Sequence, residues 1–384
     1  MRNPKHLLIL ASVAVIFIIA SLFSGPTDDE IAGAGDKLFP ELLPRVNDVT
    51  YIKIQKNDGT LTLTKDQDVW RVKENDGYPA DINKVRELVL GIGNLKRVEP
   101  KTRKPESYSR IGLQDVTEPG AKSTQVTLIA GSDKKLADLL IGNSKASKSD
   151  SSLQSYYIRT LDDPQTWLVD GKIPDKWQPK DWLSIDIFEI KRDRIQQVKV
   201  SHEDGEIVYV HRDNPQVRDF TLDSLKEGEQ VTAPYEANNI ATTFTKMTFD
   251  DVSSAANAAV GDKPIYTAVL TTFDGLEVTF QPFKKDDQHL AKYSASYNEA
   301  AAKAYQEKQS QQSDKTTTPA PADDPHASAA KAPVELKTAE EVKKEVEKYN
   351  ALWSNWLYQL PNFRINNIGK KKADLLKKSD APVH

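Results

Sequence analysis

Apolar and polar residues alternate with a period of two in two separated stretches of the chain, and both stretches repeat one order of elements. In the first, Val49, Ile52 and Ile54 lead to Asp58-Gly59, Leu61 and Leu63 alternate with polar residues, and Trp70 and Val72 follow. A period of two marks a strand with one buried face, and Asp-Gly between two such runs marks a hairpin turn. The pattern then changes to helical spacing. Asp81 is placed to cap a helix whose apolar face is Ile82, Val85, Leu88, Val89 and Ile92, and Leu95 and Val98 continue into a bend. The second stretch runs through Ile195, Val198 and Val200, Asp204-Gly205, Ile207 and Tyr209, Phe220 and Leu222, and then a helix from Glu236. The repeat of Val49–Val98 in Ile195–Val252 predicts two related units, each with a hairpin, a third strand and a helix, and puts Trp70 and Phe220 in equivalent core positions.

Further strands follow in each half. Val126, Leu128 and Ile129 form one, Leu136, Leu139 and Ile141 return before Gly142-Asn143, and Tyr156–Arg159 and Thr166–Val169 are two more. The second half has Ile265–Thr272, a third Asp-Gly at Asp274-Gly275, and Leu276–Phe283, and then a helix around Tyr297–Tyr305. Gln306–Pro333 contains no Phe, Tyr, Trp, Ile, Leu, Val or Met. It cannot bury enough surface to offset its ordering entropy, which predicts a disordered insert. Thr338 and Glu341 form a capping box for a helix facing inward through Val342, Val346, Tyr349, Trp353, Trp356 and Leu360, and Phe363–Ile365 reads as a last strand.

The N-terminus changes the picture from a plain globular chain. Arg2 and Lys5 precede Leu7–Phe23, where Ser12 and Ser21 are the polar interruptions, and the acidic Asp28, Asp29 and Glu30 come after it. Such a run is long enough to cross a bilayer core of about 30 Å. Its flanking charges place the remainder of the chain outside the cytoplasm. A cleavable signal peptide is the rival reading, but the run exceeds the usual core of about 7–15 residues and no Ala-x-Ala site follows. The fold class is therefore α+β, with an N-terminal transmembrane helix before two related antiparallel-sheet-plus-helix units. The expected organisation is an anchor over 1–24, a tether over 25–47, a first unit over 48–190 and a second over 191–305. A disordered insert over 306–335, a helix and strand over 336–366 that complete the second unit, and a basic tail over 367–384 follow. The expected location is the inner membrane, crossed once, with the bulk of the chain in the periplasm.

Composition narrows the chemistry. The 52 basic and 56 acidic residues give a formal charge of -4, which provides no general field for nucleic acid, and the absence of cysteine excludes disulfides and thiolate chemistry. No Gly-x-Ser-x-Gly elbow, phosphate loop, dinucleotide fingerprint or His-Glu-x-x-His helix occurs, so no catalytic residue, cofactor or metal ligand is assigned. His202 and His211, on opposite arms of the second hairpin, lack further ligands at fixed spacing. Asp250-Asp251 and Asp286-Asp287 are adjacent carboxylates of the kind found in solvated turns. The tryptophans read as core before ligand platform. Lys370, Lys371, Lys372, Lys377 and Lys378 read as a solubilising tail before a lipid contact.

Trp70 after a hairpin, Tyr78-Pro79-Ala80-Asp81 opening a helix, Tyr108 followed by Gly112-Leu113, then Gly142 and Arg159 occur in the order seen in the domain of unknown function 4340 family. From about Val46 to Ile365 the chain resembles that family, departing from it at Gln114-Asp115-Val116 and in the insert. Members are similar to auxiliary proteins found beside ABC transporter subunits of the gliding-motility type. The resemblance implies a non-catalytic envelope role with ABC transporter subunits as partners. An extracytoplasmic glycan- or peptide-binding module and an enzyme with a dispersed site are the alternatives.

Overall fold

The computed structural model describes residues 33–131, 133–223, 225–233, 235–258, 260–315 and 334–377, so the expected span Leu7–Phe23 lies outside the described residues. Among the described residues no helix is long and apolar enough to cross a membrane. The chain is α+β, with large antiparallel sheets and few helices. It divides into two compact units, Met1–Glu74 with Pro79–Trp182 and Asn75–Tyr78 with Leu183–His384.

The first sheet is built from β1 (Val49–Lys56), β2 (Gly59–Asp66), β3 (Val69–Val72), β4 (Tyr78–Pro79), β5 (Lys96–Pro100), β6 (Thr124–Ala130), β7 (Lys135–Ala146), β8 (Gln154–Thr160) and β9 (Thr166–Gly171). Their order is β4-β3-β2-β1-β6-β7-β8-β9-β5. Two rows of side chains make the inner face. Leu63, Ile52, Leu128 and Ala137 lie across from one another, as do Leu61, Ile54, Val126 and Leu139, and every one is buried. Helix α1 (Ile82–Gly93) adds Val85, Leu88, Val89 and Ile92 to this core, while Ile82, at its first turn, stays 45% exposed. Asp81 caps it by accepting the Asn83 N–H at 2.9 Å. Burial of each large aliphatic side chain contributes about 1.5–3 kcal/mol, so these rows hold the unit together.

The second unit has β10 (Asp186–Glu189), β11 (Ile195–His202), β12 (Ile207–His211), β13 (Thr221–Leu222), β14 (Lys246–Thr248), β15 (Asp251–Ser254), β16 (Tyr266–Thr272), β17 (Leu276–Lys285), β18 (Gln288–Tyr297) and β19 (Trp356–Gln359). Helices α2 (Tyr235–Thr242), α3 (Glu299–Lys315), α4 (Ala339–Trp353), α5 (Asn362–Ile368) and α6 (Lys372–Leu375) accompany them. The main sheet runs β13-β12-β11-β16-β17-β18-β19-β15, which is the order of the first sheet without β4; β10 and β14 form a separate pair. The inner rows also correspond: Val210, Val198, Leu270 and Val278 in one, Val208, Val200, Ala268 and Phe280 in the other. Even the register irregularity recurs. It falls between Val49 and Tyr51 in β1 and between Ile195 and Gln197 in β11. Trp70 and Phe220 are both buried.

The two units differ between the last hairpin strands. A short loop, residues 161–165, joins β8 to β9, whereas α3 and α4 lie between β18 and β19. Helix α4 opens with the Thr338–Glu341 capping box and covers β18, and its Asn350 side chain pairs with the backbone of Ala295 through both N–H and C=O at 2.8 Å.

In the first hairpin Gly59 already pairs with Lys56, so Asn57-Asp58 is the turn, while Gly205 and Gly275 sit at φ 88° and 86° as their Asp-Gly turns require. Leu95–Val98 leads into the edge strand β5 rather than a bend; its Lys, Arg and Glu side chains suit an edge and leave no apolar alternation to read. Gln306–Lys315, expected to be disordered, belongs to α3. Its start is anchored by the buried Ala302 and Tyr305. Glu, Lys and Gln favour continuing the helix beyond them, and a Glu299–Lys303 ion pair at 2.6 Å adds to it; the remainder of the insert to Pro333 lies outside the described residues. Trp356 is in β19, not on the preceding helix, because pairing with β15 uses its backbone. Phe363–Ile365 is part of α5, not a strand. The tail is docked as far as Lys377: Leu375 is buried, and Lys370, Lys371 and Lys372 pair with Glu236, Asp204 and Glu229.

Candidate functional site

Alternation in β1 turns Ile52 and Ile54 inward, and therefore turns Tyr51, Lys53 and Gln55 outward. Beside them stand Gln125, Thr127 and Ile129 of β6 and Asp138 of β7, and together they line an open recess of about 500 Å³. Asp138 fixes this face by accepting from Gln125 at 2.9 Å, Thr127 at 3.0 Å and Lys135 at 2.6 Å. The second unit presents the corresponding ladder: Gln197, Lys199 and Ser201 on β11 against Thr271, Val269 and Thr267 on β16. There Tyr209 donates to Gln197 at 2.5 Å, and Gln197 donates to Thr271 at 3.4 Å. Lys53 and Lys199 occupy the same register position, each at the centre of its outward row. This arrangement offers hydrogen-bond donors, acceptors and a cation across a pleated surface, which suits contact with another macromolecule.

A second recess, of about 580 Å³, lies in the second unit among His202, Asp204, Tyr266, His289, Asn366 and Lys371. Both imidazoles are engaged, His202 with the Lys370 carbonyl at 3.3 Å and His289 with the Asn362 amide oxygen at 2.7 Å. Lys371 holds the Asp204 carboxyl below its usual range and is itself raised. His211 is elsewhere, stacked on Tyr209 with ring centroids 5.2 Å apart, so the hairpin histidines do not converge. His289 lines the same recess as His202, a relation that spacing along the chain does not carry. Among the described residues no three His, Cys, Asp or Glu side chains are grouped to hold a metal ion. Asp251 receives the Asn75 amide at 3.0 Å, and Asp286 turns the β17–β18 hairpin at φ 53°.

The motif residues form structural contacts. Ala80 donates to the Trp70 carbonyl at 2.7 Å ahead of the Asp81 cap, with Pro79 between Ala80 and Tyr78. Tyr78, itself part of the second unit, is buried there against Phe249, Trp356 and Tyr358, and burial pushes its hydroxyl up to about 12. Tyr108, Leu113, Val116 and Leu140 are one apolar cluster, with the Arg159 guanidinium 4.7 Å above the Tyr108 ring. Gly112 ends the 3-10 turn Pro105–Ile111 at φ 71°, and a Cβ on Gly142 would stand 2.4 Å from the Ile111 carbonyl oxygen. Tyr108, Gly112, Leu113, Gly142 and Arg159 are thus brought together, and the role of the glycines is close backbone approach.

Buried charges are likewise taken up by the fold. Burial pulls the Asp170 carboxyl upward, but hydroxyls of Ser147, Ser149 and Ser155 outweigh it and hold it below the usual range. Arg194 is bidentate to Asp274 at 2.8 and 3.1 Å and also binds Glu345 at 2.9 and 3.2 Å. Burial opposes all three charges, and their mutual pairing overrides it, so Arg194 is raised and both carboxyls are lowered. Arg212 donates to the carbonyls of Ile195, Pro215, Val217 and Arg192; burial, with Arg192 nearby, pushes it down to about 10, still cationic at neutral pH. Trp70, Trp182 and Trp353 are buried, while Trp167, Trp177 and Trp356 are half-buried under neighbouring side chains.

Residues 70–268, more than half of the chain, match the family model described as Domain of unknown function (DUF4340). No curated protein and no solved structure matches the chain.

Proposed function

The chain belongs to the DUF4340 family, and from that premise we propose that it is a non-catalytic accessory protein of an ABC-type transport assembly. In this reading Leu7–Phe23 holds it in the inner membrane, and the two units work on the periplasmic side. The observation that carries the proposal is the matched outward ladders centred on Lys53 and Lys199, which give one chain two related polar surfaces for a partner. Tethering to the same membrane raises the partner's effective concentration to roughly the millimolar range, so weak polar contacts suffice. The glycan- or peptide-binding alternative draws little support from the tryptophans, whose rings are packed against Tyr78, Trp182 or Arg97 or lie in the core.

Affinity purification from gently solubilised membranes tests the proposal. Full-length protein should recover ABC transporter subunits, and a Lys53→Glu/Lys199→Glu variant or one lacking Leu7–Phe23 should recover fewer. Recovery of the protein alone under mild cross-linking, together with a hydrolytic activity that scales with it, would overturn the proposal in favour of an enzyme.

A further inference from the structure

Lys370, Lys371 and Lys372, among the C-terminal lysines that the sequence offers as a lipid contact, are paired with acids of their own unit, yet another basic segment stands where the chain enters the first unit. Lys96–Lys104 contains five basic residues, Lys96, Arg97, Lys101, Arg103 and Lys104, and one acid, Glu99, in a chain of formal charge -4. Glu99 pairs with Lys101, and Arg103 reaches Asp163 at 3.3 Å, while Lys96, Lys101, Arg103 and Lys104 remain exposed. The incoming chain adds itself to this edge: Gly35 donates to the Arg97 carbonyl at 2.8 Å, and Arg97 donates back to the Asp36 carbonyl at 2.9 Å. Gly33 lies beside the Trp167 ring and the Arg97 guanidinium, which itself sits 5.0 Å over that ring. The roughly ten residues between Phe23 and Gly33 span at most about 35 Å, so an anchor at Leu7–Phe23 would keep this edge within that distance of the bilayer. An aromatic ring beside basic side chains is the composition that favours a membrane–water interface.

We propose that the Lys96–Lys104 edge with Trp167 is a contact surface for an anionic phospholipid bilayer, resting on the reading of Leu7–Phe23 as a retained anchor. The lack of cysteine makes a unique label simple. Full-length Val98→Cys protein, carrying a nitrobenzoxadiazole probe at a position already 37% exposed, is reconstituted in nanodiscs of phosphatidylcholine with or without phosphatidylglycerol. Lipids bearing a headgroup spin label should quench the probe far more strongly in the anionic discs. Each basic residue at such a surface biases contact about fivefold, so Lys96→Gln/Lys101→Gln/Arg103→Gln/Lys104→Gln together should reduce quenching to the phosphatidylcholine level. Equal quenching in both discs, or quenching unchanged by the four substitutions, overturns the lipid contact while leaving the anchor intact. Failure of the nanodiscs to retain the protein overturns the anchor, and the lipid contact with it.

Discussion

Replacing Asn350 by alanine tests how the inserted helix is joined to the second sheet. Strand β18 pairs with β19 only at Leu290 and Ala291, so its later residues have no strand neighbour on that side. Asn350 supplies one with its side-chain amide, accepting the Ala295 N–H and donating to the Ala295 C=O, both at 2.8 Å, and Ala295 is 9% exposed. Truncation removes both bonds and leaves a buried donor and a buried acceptor, each costing about 1–3 kcal/mol if water does not reach it. Asn350→Ala should therefore destabilise the second unit by about 2–5 kcal/mol. Asn350→Asp should be at least as damaging, since it sets a carboxylate against a carbonyl. The assay is urea unfolding, with hydrogen exchange at Ala295 as the local readout. The exposed Lys348→Ala serves as a control that should change stability by less than about 0.5 kcal/mol. An Asn350→Ala protein as stable as that control, with Ala295 still protected, would refute the role given to this amide.

Other outcomes follow from the buried charges and close contacts. Arg194→Ala leaves Asp274 and Glu345 without their shared cation and should cost about 3–5 kcal/mol by urea unfolding, whereas a joint apolar replacement of all three should cost less. Asp170 has a lowered folded pKa, so its stabilising effect is full above the ordinary carboxylate value of about 3.9 and fades as pH falls through the folded one. Ser155→Ala should thus weaken the first unit at pH 7 and shift its acid unfolding to higher pH, with little difference remaining at the acid end. Tyr78 has a raised pKa of about 12, so its contribution is full below pH 10 and fades through about 12, which alkaline unfolding followed by tyrosinate absorbance should register. Gly142→Ala forces a Cβ against the Ile111 carbonyl and should cost about 1–3 kcal/mol in thermal unfolding.

The hairpins and α1 were legible because one face of each is buried, and burial imposes period two on β1, β2, β11 and β12 and helical spacing on Val85 to Ile92. Strand β5 was not, since an edge strand of Lys, Arg and Glu has no apolar period to display. The apolar spacing that placed Trp353 on a helix continues through Trp356 and Leu360, so the break into β19 depends on its β15 partner rather than on local sequence. Asp274 reads as an ordinary turn residue. Its buried pairing with Arg194 and Glu345 joins positions far apart in the chain, and no spacing announces it. The outward ladders were half legible: alternation and the matching of Val49, Ile52 and Ile54 with Ile195, Val198 and Val200 already align Lys53 with Lys199, but which strand lies beside each lysine is given only by the pairing with β6 and β16. The recess that His202 and His289 both line is set by sheet order together with the packing of α5 and the residues after it.

Photo-cross-linking in living cells, with a photoreactive amino acid placed at Lys53 in one full-length protein and at Lys199 in another, reads directly whether the two outward ladders dock on a partner. Irradiation should join each to a membrane subunit of an ABC transporter, and deletion of Leu7–Phe23 should sharply reduce both adducts. Absence of adducts from both positions, while a probe at the exposed Ile207 captures the same subunit, would contradict the assignment of the outward ladders as the docking surfaces.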